Sequence, residues 1–278
     1  MKQYITVLFF GILTLFSLHS QNLEKIKGNK NVTIVQTEIN SFHTLALDED
    51  FEIEIIFNKT PSVTIETDEN LHESIDFKVS DSVLSFNKTK RITSKKTLKI
   101  KVSYDDNLKH ITATDDSEIK SLTLIDLANF ELNTKESSKV GLTVKTDIFT
   151  FEGLDKSKVK LNLTCDSTKL VLNGYSKLEA LINTLKITAD LYQRSDAIIE
   201  GNTEDIFIRT DNNAQFMGKN LTVKTGLIAA EISSDITLEV IDDVTIEASG
   251  NSSINLYGNP KIIVNRLTDT SKIQKKVK

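Results

Sequence analysis

The residue most often used to activate a nucleophile is scarce in this chain. Beyond the first twenty positions it has His43, His72 and His110, and no histidine follows them. A serine, histidine and acid triad needs an imidazole within reach of the hydroxyl, so none is expected after His110. Three histidines scattered through the N-terminal third read as surface or packing residues and not as metal ligands.

Carboxylates are the next candidates, since enzymes that cleave polysaccharides work with paired acids. Asp105 with Asp106, Asp115 with Asp116, and Asp242 with Asp243 are neighbours in sequence, but adjacent residues of a strand point to opposite faces. Asp115 and Asp116 stand directly before Ser117, where turn formation accounts for them. Cys165 continues the alternating apolar set Val159, Leu161 and Leu163 and reads as a small core residue. As the only cysteine it also rules out an internal disulfide framework.

Lysine gives the one pattern with regular spacing. Glu118, Lys139, Lys158 and Lys177 recur about every nineteen residues, with Lys120 and Lys160 two places further on. They form either a basic strip for an anionic glycan or an acidic partner, or a solvated face with Glu118 and Glu179 as partial partners; the solvated face is the favoured reading. Calcium-binding nonapeptides and phosphate-binding glycine loops are absent from the sequence. No catalytic, cofactor-binding or metal-ligating residue is therefore assigned, no cofactor is expected, and the ligand-binding residues are not specified.

Those residues sit in a longer repeat that decides how they are placed. A small polar residue, any residue, then an apolar one returns at Ser117, Ser138, Ser157, Ser176, Asp196, Ala214, Ser234, Ser252 and Ser271, with spacings of 18 to 21. The apolar partners are Ile119, Val140, Val159, Leu178, Ile198, Phe216, Ile236, Ile254 and Ile273. Within each unit the period is two, as in a strand with one buried face. A second alternation follows: Leu122 and Leu124, Phe149 and Phe151, Leu170 and Leu172, Leu185 and Ile187, Ile206 and Ile208, Leu221 and Val223, Val244 and Ile246. Two strands per unit, stacked parallel, predict an all-β fold, a single-stranded right-handed parallel β-helix or β-solenoid with coils of about nineteen residues. The serines belong to its tight corners.

The segment 28–110 is strand-rich but less periodic and is expected to supply irregular coils and the N-terminal cap, with a helical turn over Asp68–Ile75 capped by Asp68. Regular coils are expected over 111–273 in one domain, 21–278. Lys2, the apolar run Ile5–Phe16 and the polar end Ser17–Ser20 have the layout of a signal peptide, so residues 1–20 are expected to be removed on export. The net charge is −5, or −6 without that leader, which argues against nucleic-acid binding. No later apolar run is long enough for a spanning helix.

The run DFEIEIIFNKTPSVTIETDENLHESIDFKVSDSVLSF from Asp50 to Phe86, the serine-marked coils, and the ending SSINLYGNPKIIVNRLTDTSKI resemble the DUF2807 family, called the "putative auto-transporter adhesin, head GIN domain". The resemblance implies a right-handed β-helix in an exported protein, mostly from Bacteroidetes, and brings no catalytic motif. A self-transporting protein needs a C-terminal membrane barrel, and none is expected here, because coils continue to Lys272. The expected function is a non-enzymatic, adhesin-like or envelope-associated binding module in the periplasm or at the cell surface, with a glycan or a cell-surface protein as partner; the sequence does not set its oligomeric state. The alternatives are a polysaccharide-active hydrolase or lyase and a purely structural envelope scaffold.

Overall fold

The computed structural model describes residues 23–277; the leader expected over 1–20 lies outside them. Stacked parallel coils form a β-solenoid of about nine turns. The N-terminal strands are β1 (Lys25–Lys27), β2 (Val32–Glu38), β3 (Thr44–Leu47), β4 (Glu52–Phe57), β5 (Ser62–Asp68), β6 (Ile75–Ser80), β7 (Val83–Lys88), β8 (Arg91–Ser94) and β9 (Leu98–Tyr104). Next come β10 (His110–Ala113), β11 (Glu118–Ser121), β12 (Ile125–Asp126) and β13 (Asn129–Thr134). The long strands are β14 (Lys139–Gly153), β15 (Lys158–Leu172), β16 (Lys177–Leu191), β17 (Asp196–Thr210), β18 (Gln215–Ala230) and β19 (Asp235–Ala248), closed by β20 (Ser253–Gly258), β21 (Lys261–Leu267) and β22 (Lys272–Lys275).

Two faces run the length of the molecule. On the first, β9, β4 and β11 precede the leading halves of β14 to β19, then β20 and β22; on the second, β7, β3, β10 and β13 precede the trailing halves, then β21. The register lines up several buried apolar columns on the first face, among them one that runs its whole length. That column is Ile100, Ile53, Ile119, Val140, Val159, Leu178, Ala197, Phe216, Ile236, Ile254 and Ile273. All but Ile273 are buried. Parallel strands sit ~4.8 Å apart, so each side chain packs on its equivalent one coil away.

The regular coil is one strand of about fifteen residues bent near its middle, not two strands separated by turns. The bend lies where the register skips Asp147, opposite Asp166 and Leu185. Threonine closes it: Thr146 Oγ1 donates to the Ile148 carbonyl at 3.2 Å, and Thr203 Oγ1 to the Asp205 carbonyl at 3.1 Å. Cys165 takes the same place in its coil. It is buried, and burial pushes its thiol pKa up.

The other corner is a four-residue turn with a left-handed residue second, at Asp115, Glu136, Asp155, Gly174, Gln193, Asn212, Ile232, Gly250 and Asp269. Two positions later comes the small residue of the repeat. In the coil starting at β17 that residue is Ser195, fully buried, and not Asp196; its apolar follower is Ala197, and Ile198 is 40% exposed. The sequence phase there was off by one because Ala197 is the smallest member of its column. In the second alternation, Leu122, Leu124 and Leu185 are exposed. Phe130 with Leu132, and Ile187 with Ala189, fill those places.

The serines close their own turns. Ser138, Ser195, Ser234 and Ser252 donate Oγ–H to the carbonyl three residues back at 2.7–2.9 Å. Ser176 Oγ is buried and has no partner. Ser195→Ala should therefore cost about 1 kcal/mol, whereas Ser176→Ala should be neutral or stabilising. Thermal unfolding of the two variants side by side checks this, and equal losses would refute the assignment of the serine ladder to turn closure.

Antiparallel strands cover the N-terminal end: β5 on β9, β2 on β5, and β6 on β7. The expected helical turn is a 3-10 helix, Glu69–Ser74, but Asp68 makes no side-chain cap. Its buried carboxylate accepts the backbone N–H groups of Lys30 and Lys96 at 3.2 Å, tying two loops together. Tyr104 is buried edge-on to Phe57 and its hydroxyl has no partner. Burial pushes its pKa up to about 12. An unfolded tyrosine ionises near pH ~10, so the stability linked to Tyr104 is whole below that pH and is lost as pH rises through about 12. Tyr104→Phe should flatten this alkaline loss, read as melting temperature against pH.

Candidate functional site

The three histidines, and Asp105 and Asp115 among the paired acids, make local contacts. His43 and His110 meet edge to face at 6.5 Å, and His110 Nδ1 lies 3.1 Å from Glu131 Oε2. His72 is apart from them, bonded to Thr33 Oγ1 at 2.9 Å. Asp105 accepts from Ser41 Oγ and from the Asn107 backbone N–H, both at 3.0 Å. Among the described residues no group of three or more histidine, cysteine or acidic side chains could hold a metal ion.

The left-handed corner carries a chain of acids that the sequence did not suggest. Asp155 accepts the Glu136 backbone N–H at 3.2 Å, Glu136 accepts that of Asp115 at 2.8 Å, and Asp115 accepts that of Glu49 at 3.1 Å. The Glu136 and Asp115 carboxyls also share a hydrogen bond. It holds the Asp115 pKa down and raises that of Glu136. These acids are spent on holding successive turns together.

The lysine pattern is a true column. Parallel register sets Glu118, Lys139, Lys158, Lys177 and Asp196 on consecutive coils of the first face. Some of its charge is matched: Lys177 to Asp196 at 2.9 Å, Lys160 to Glu179 at 3.3 Å, and Lys120 to Glu118. Glu118 thus serves Lys120 and leaves Lys139 alone. Among the described residues Lys139, Lys158 and the turn residue Lys156 have no ion pair. Beside this column the first face dips. Gly141 has no side chain, and an added Cβ there would have only Lys120 Cγ near it, at 3.8 Å. The hollow, about 620 Å³, is floored by Gly141 and walled by Thr143, Lys160, Asn162 and Glu179.

One further cluster lies at the turn. Arg194 stacks over the exposed Tyr175 ring, 5.6 Å from its centroid, and donates to its hydroxyl. Arg209 does the same to Tyr192 and pairs with Asp190 at 2.9 Å. Single arginines and tyrosines gave no sequence signal. Only the coil register brings residues seventeen and nineteen apart into contact.

The arrangement offers a long, rigid, registered surface, and the comparisons agree with it. No curated protein matches the chain. Of solved structures, a "putative adhesin" from Parabacteroides distasonis ATCC 8503 is similar at 12% identity, with 91% of this chain and 100% of that chain covered and a TM-score of 0.68. Another "putative adhesin", from Parabacteroides merdae ATCC 43184, shares 17% identity over 91% of this chain and 99% of that one, with a TM-score of 0.64. A "putative lipid binding protein" from Parabacteroides distasonis ATCC 8503 has 17% identity, 91% and 100% coverage, and a TM-score of 0.59. At such identities the likeness is one of fold. The family model described as "Putative auto-transporter adhesin, head GIN domain" matches residues 41–183 and 156–260. The chain belongs to that family, DUF2807.

Proposed function

We propose that the chain is an exported, non-enzymatic binding module, adhesin-like and associated with the cell envelope, that presents its first face to a glycan or to another envelope protein. The observation that carries this reading is the continuous parallel stacking of that face from β9 to β22, in regular register across β14 to β17 and shifted where β18 meets β17 and β19. It holds the backbone positions of neighbouring coils at a fixed repeat, so little backbone ordering entropy remains to be lost on binding an extended partner. Membership of an adhesin-named family supports the same class. Among the described residues no helix is long and apolar enough to cross a membrane, so retention at the envelope would rest on binding or on other machinery.

The test has two parts. Intact cells are treated with protease while the protein is followed by antibody, and the purified protein is screened on an array of neutral and charged glycans together with envelope extract. Loss from intact cells with capture of any glycan or envelope protein is the expected result. Protection from protease together with no capture would end the adhesin-like reading in favour of a scaffold.

A further inference from the structure

We propose that the first face binds an anionic polysaccharide, laid along the solenoid axis over the coils of β14, β15 and β16. This rests on the binding-module reading above and gives it a ligand class. Lys139, Lys158 and Lys177 are in register on successive strands, and Ser137, Lys156 and Tyr175 hold equivalent places in the turns before them, each bonded through its backbone N–H to the turn one coil earlier. Arg194, on the fourth, reaches back over Tyr175. Lysines in one column stand ~4.8 Å apart, so their charges repel unless something anionic lies over them.

The acids nearby do not supply that neutralisation. Asp196 is paired with Lys177 only, and Glu118 with Lys120. The turn acids Glu136 and Asp155 accept from backbone N–H groups and, among the described residues, form no ion pair with these lysines. Lys139, Lys156 and Lys158 are left as a cationic strip bounded by Glu118 at one end and Asp196 at the other. A repeating polymer of carboxylates or sulfates matches a repeating column of cations, and each added contact raises the effective concentration of the next.

Two features favour sugar over nucleic acid. The hollow beside the strip presents a hydroxyl and an amide, Thr143 and Asn162, together with the carboxylates of Glu179 and Glu200; these groups suit saccharide hydroxyls, while the acidic groups of the polymer belong over the lysines. The strip has one exposed aromatic ring, Tyr175, held in place by Arg194; single-stranded nucleic acid calls for a succession of stacking rings. A single clamped ring is enough to seat one sugar face.

The experiment measures binding of dextran sulfate and polygalacturonate to the immobilised purified protein, with neutral dextran and a single-stranded oligonucleotide as controls, at two salt concentrations. Lys139→Ser/Lys156→Ser/Lys158→Ser is compared with Lys261→Ser/Lys272→Ser/Lys275→Ser, which removes as many cations from the C-terminal end. All six lysines are exposed, and circular dichroism with melting temperature confirms that both variants fold. The expected result is salt-sensitive binding of at least one acidic polysaccharide, weakened about tenfold or more by the first variant and little by the second, with dextran unbound. Equal loss in both variants, or no loss in the first, would overturn the site. Oligonucleotide binding as strong as that of the polysaccharides would overturn the ligand class. No binding of any polyanion would overturn the proposal while leaving capture of neutral glycans or envelope proteins, and so the broader reading, standing.

Discussion

Phe216→Ala is expected to destabilise the solenoid by about 3–5 kcal/mol, near the upper end for loss of a buried ring. The ring is fully buried in the first-face column between Ala197 and Ile236. Two of its neighbours are small. Ala197 lies one coil before it, and the backbone of Gly218 comes so close that an added Cβ would stand 2.9 Å from Phe216 Cε1 and 3.0 Å from Leu238 Cδ1. Such residues cannot extend into the space a missing ring leaves, so the cavity stays open. For a domain of this size the melting temperature should fall on the order of 10 °C. A double-mutant cycle separates packing from mere local disturbance. Gly218→Ala should destabilise the parent and should cost much less in the Phe216→Ala background, where its methyl has room. Additive losses would show that ring and glycine are not in contact in solution.

Gly201→Ala should be nearly as damaging for a different reason. Gly201 has φ +114°, and an added Cβ would meet the Ile182 carbonyl oxygen at 2.1 Å. A side chain in that backbone region costs on the order of 1–3 kcal/mol by itself, and here the obstacle is the backbone of the preceding coil, which cannot swing aside. Relief requires pushing two coils apart and breaking ladder hydrogen bonds on both sides. Gly258 has the same conflict, with the Val240 carbonyl oxygen at 2.2 Å and φ +87°. It ends β20, which carries only β22 beyond it, so Gly258→Ala should be better tolerated. Chemical unfolding of both variants measures the difference, and a larger loss at Gly258 would contradict the argument.

The regular coils were legible in the sequence because two signals coincide there: serine at the corner and a β-branched or leucine residue two places on. Where one signal weakens, the phase slips. Ser195 is followed by Asp196, and the inward Ala197 is less apolar than the exposed Ile198, so the apolar pattern peaks one residue late there. Leu185 matches the inward period for a similar reason, yet it is exposed. It sits at the bend, where strand alternation is interrupted and an outward leucine looks inward by period alone.

The N-terminal third could not be read this way. There β7 and β9 come later in the chain than β3 and β4 yet stack outside them, and β10 and β11 then cross to the other side. Parity of burial does not reveal the order of stacking. The candidate site was half legible. The lysine column follows from the repeat length, but which lysines keep a free charge depends on whether each carboxylate reaches along its own strand, as Glu118 does to Lys120, or across to the next coil, as Asp196 does to Lys177.

The direction of the inter-coil hydrogen bonds has a mechanical consequence. Lys158 N–H donates to the Ser138 carbonyl, Lys177 to Ser157, Asp196 to Ser176 and Gln215 to Ser195, each bond joining one coil to the one before it. They lie along the long axis, so tension applied between the two ends pulls on them in line and loads the coils in series. A stretched molecule of this kind yields by unzipping one coil after another from its weaker end, each step releasing about nineteen residues of slack. Because each coil contacts only its neighbours, those still stacked keep their surface intact while the end pays out as a tether.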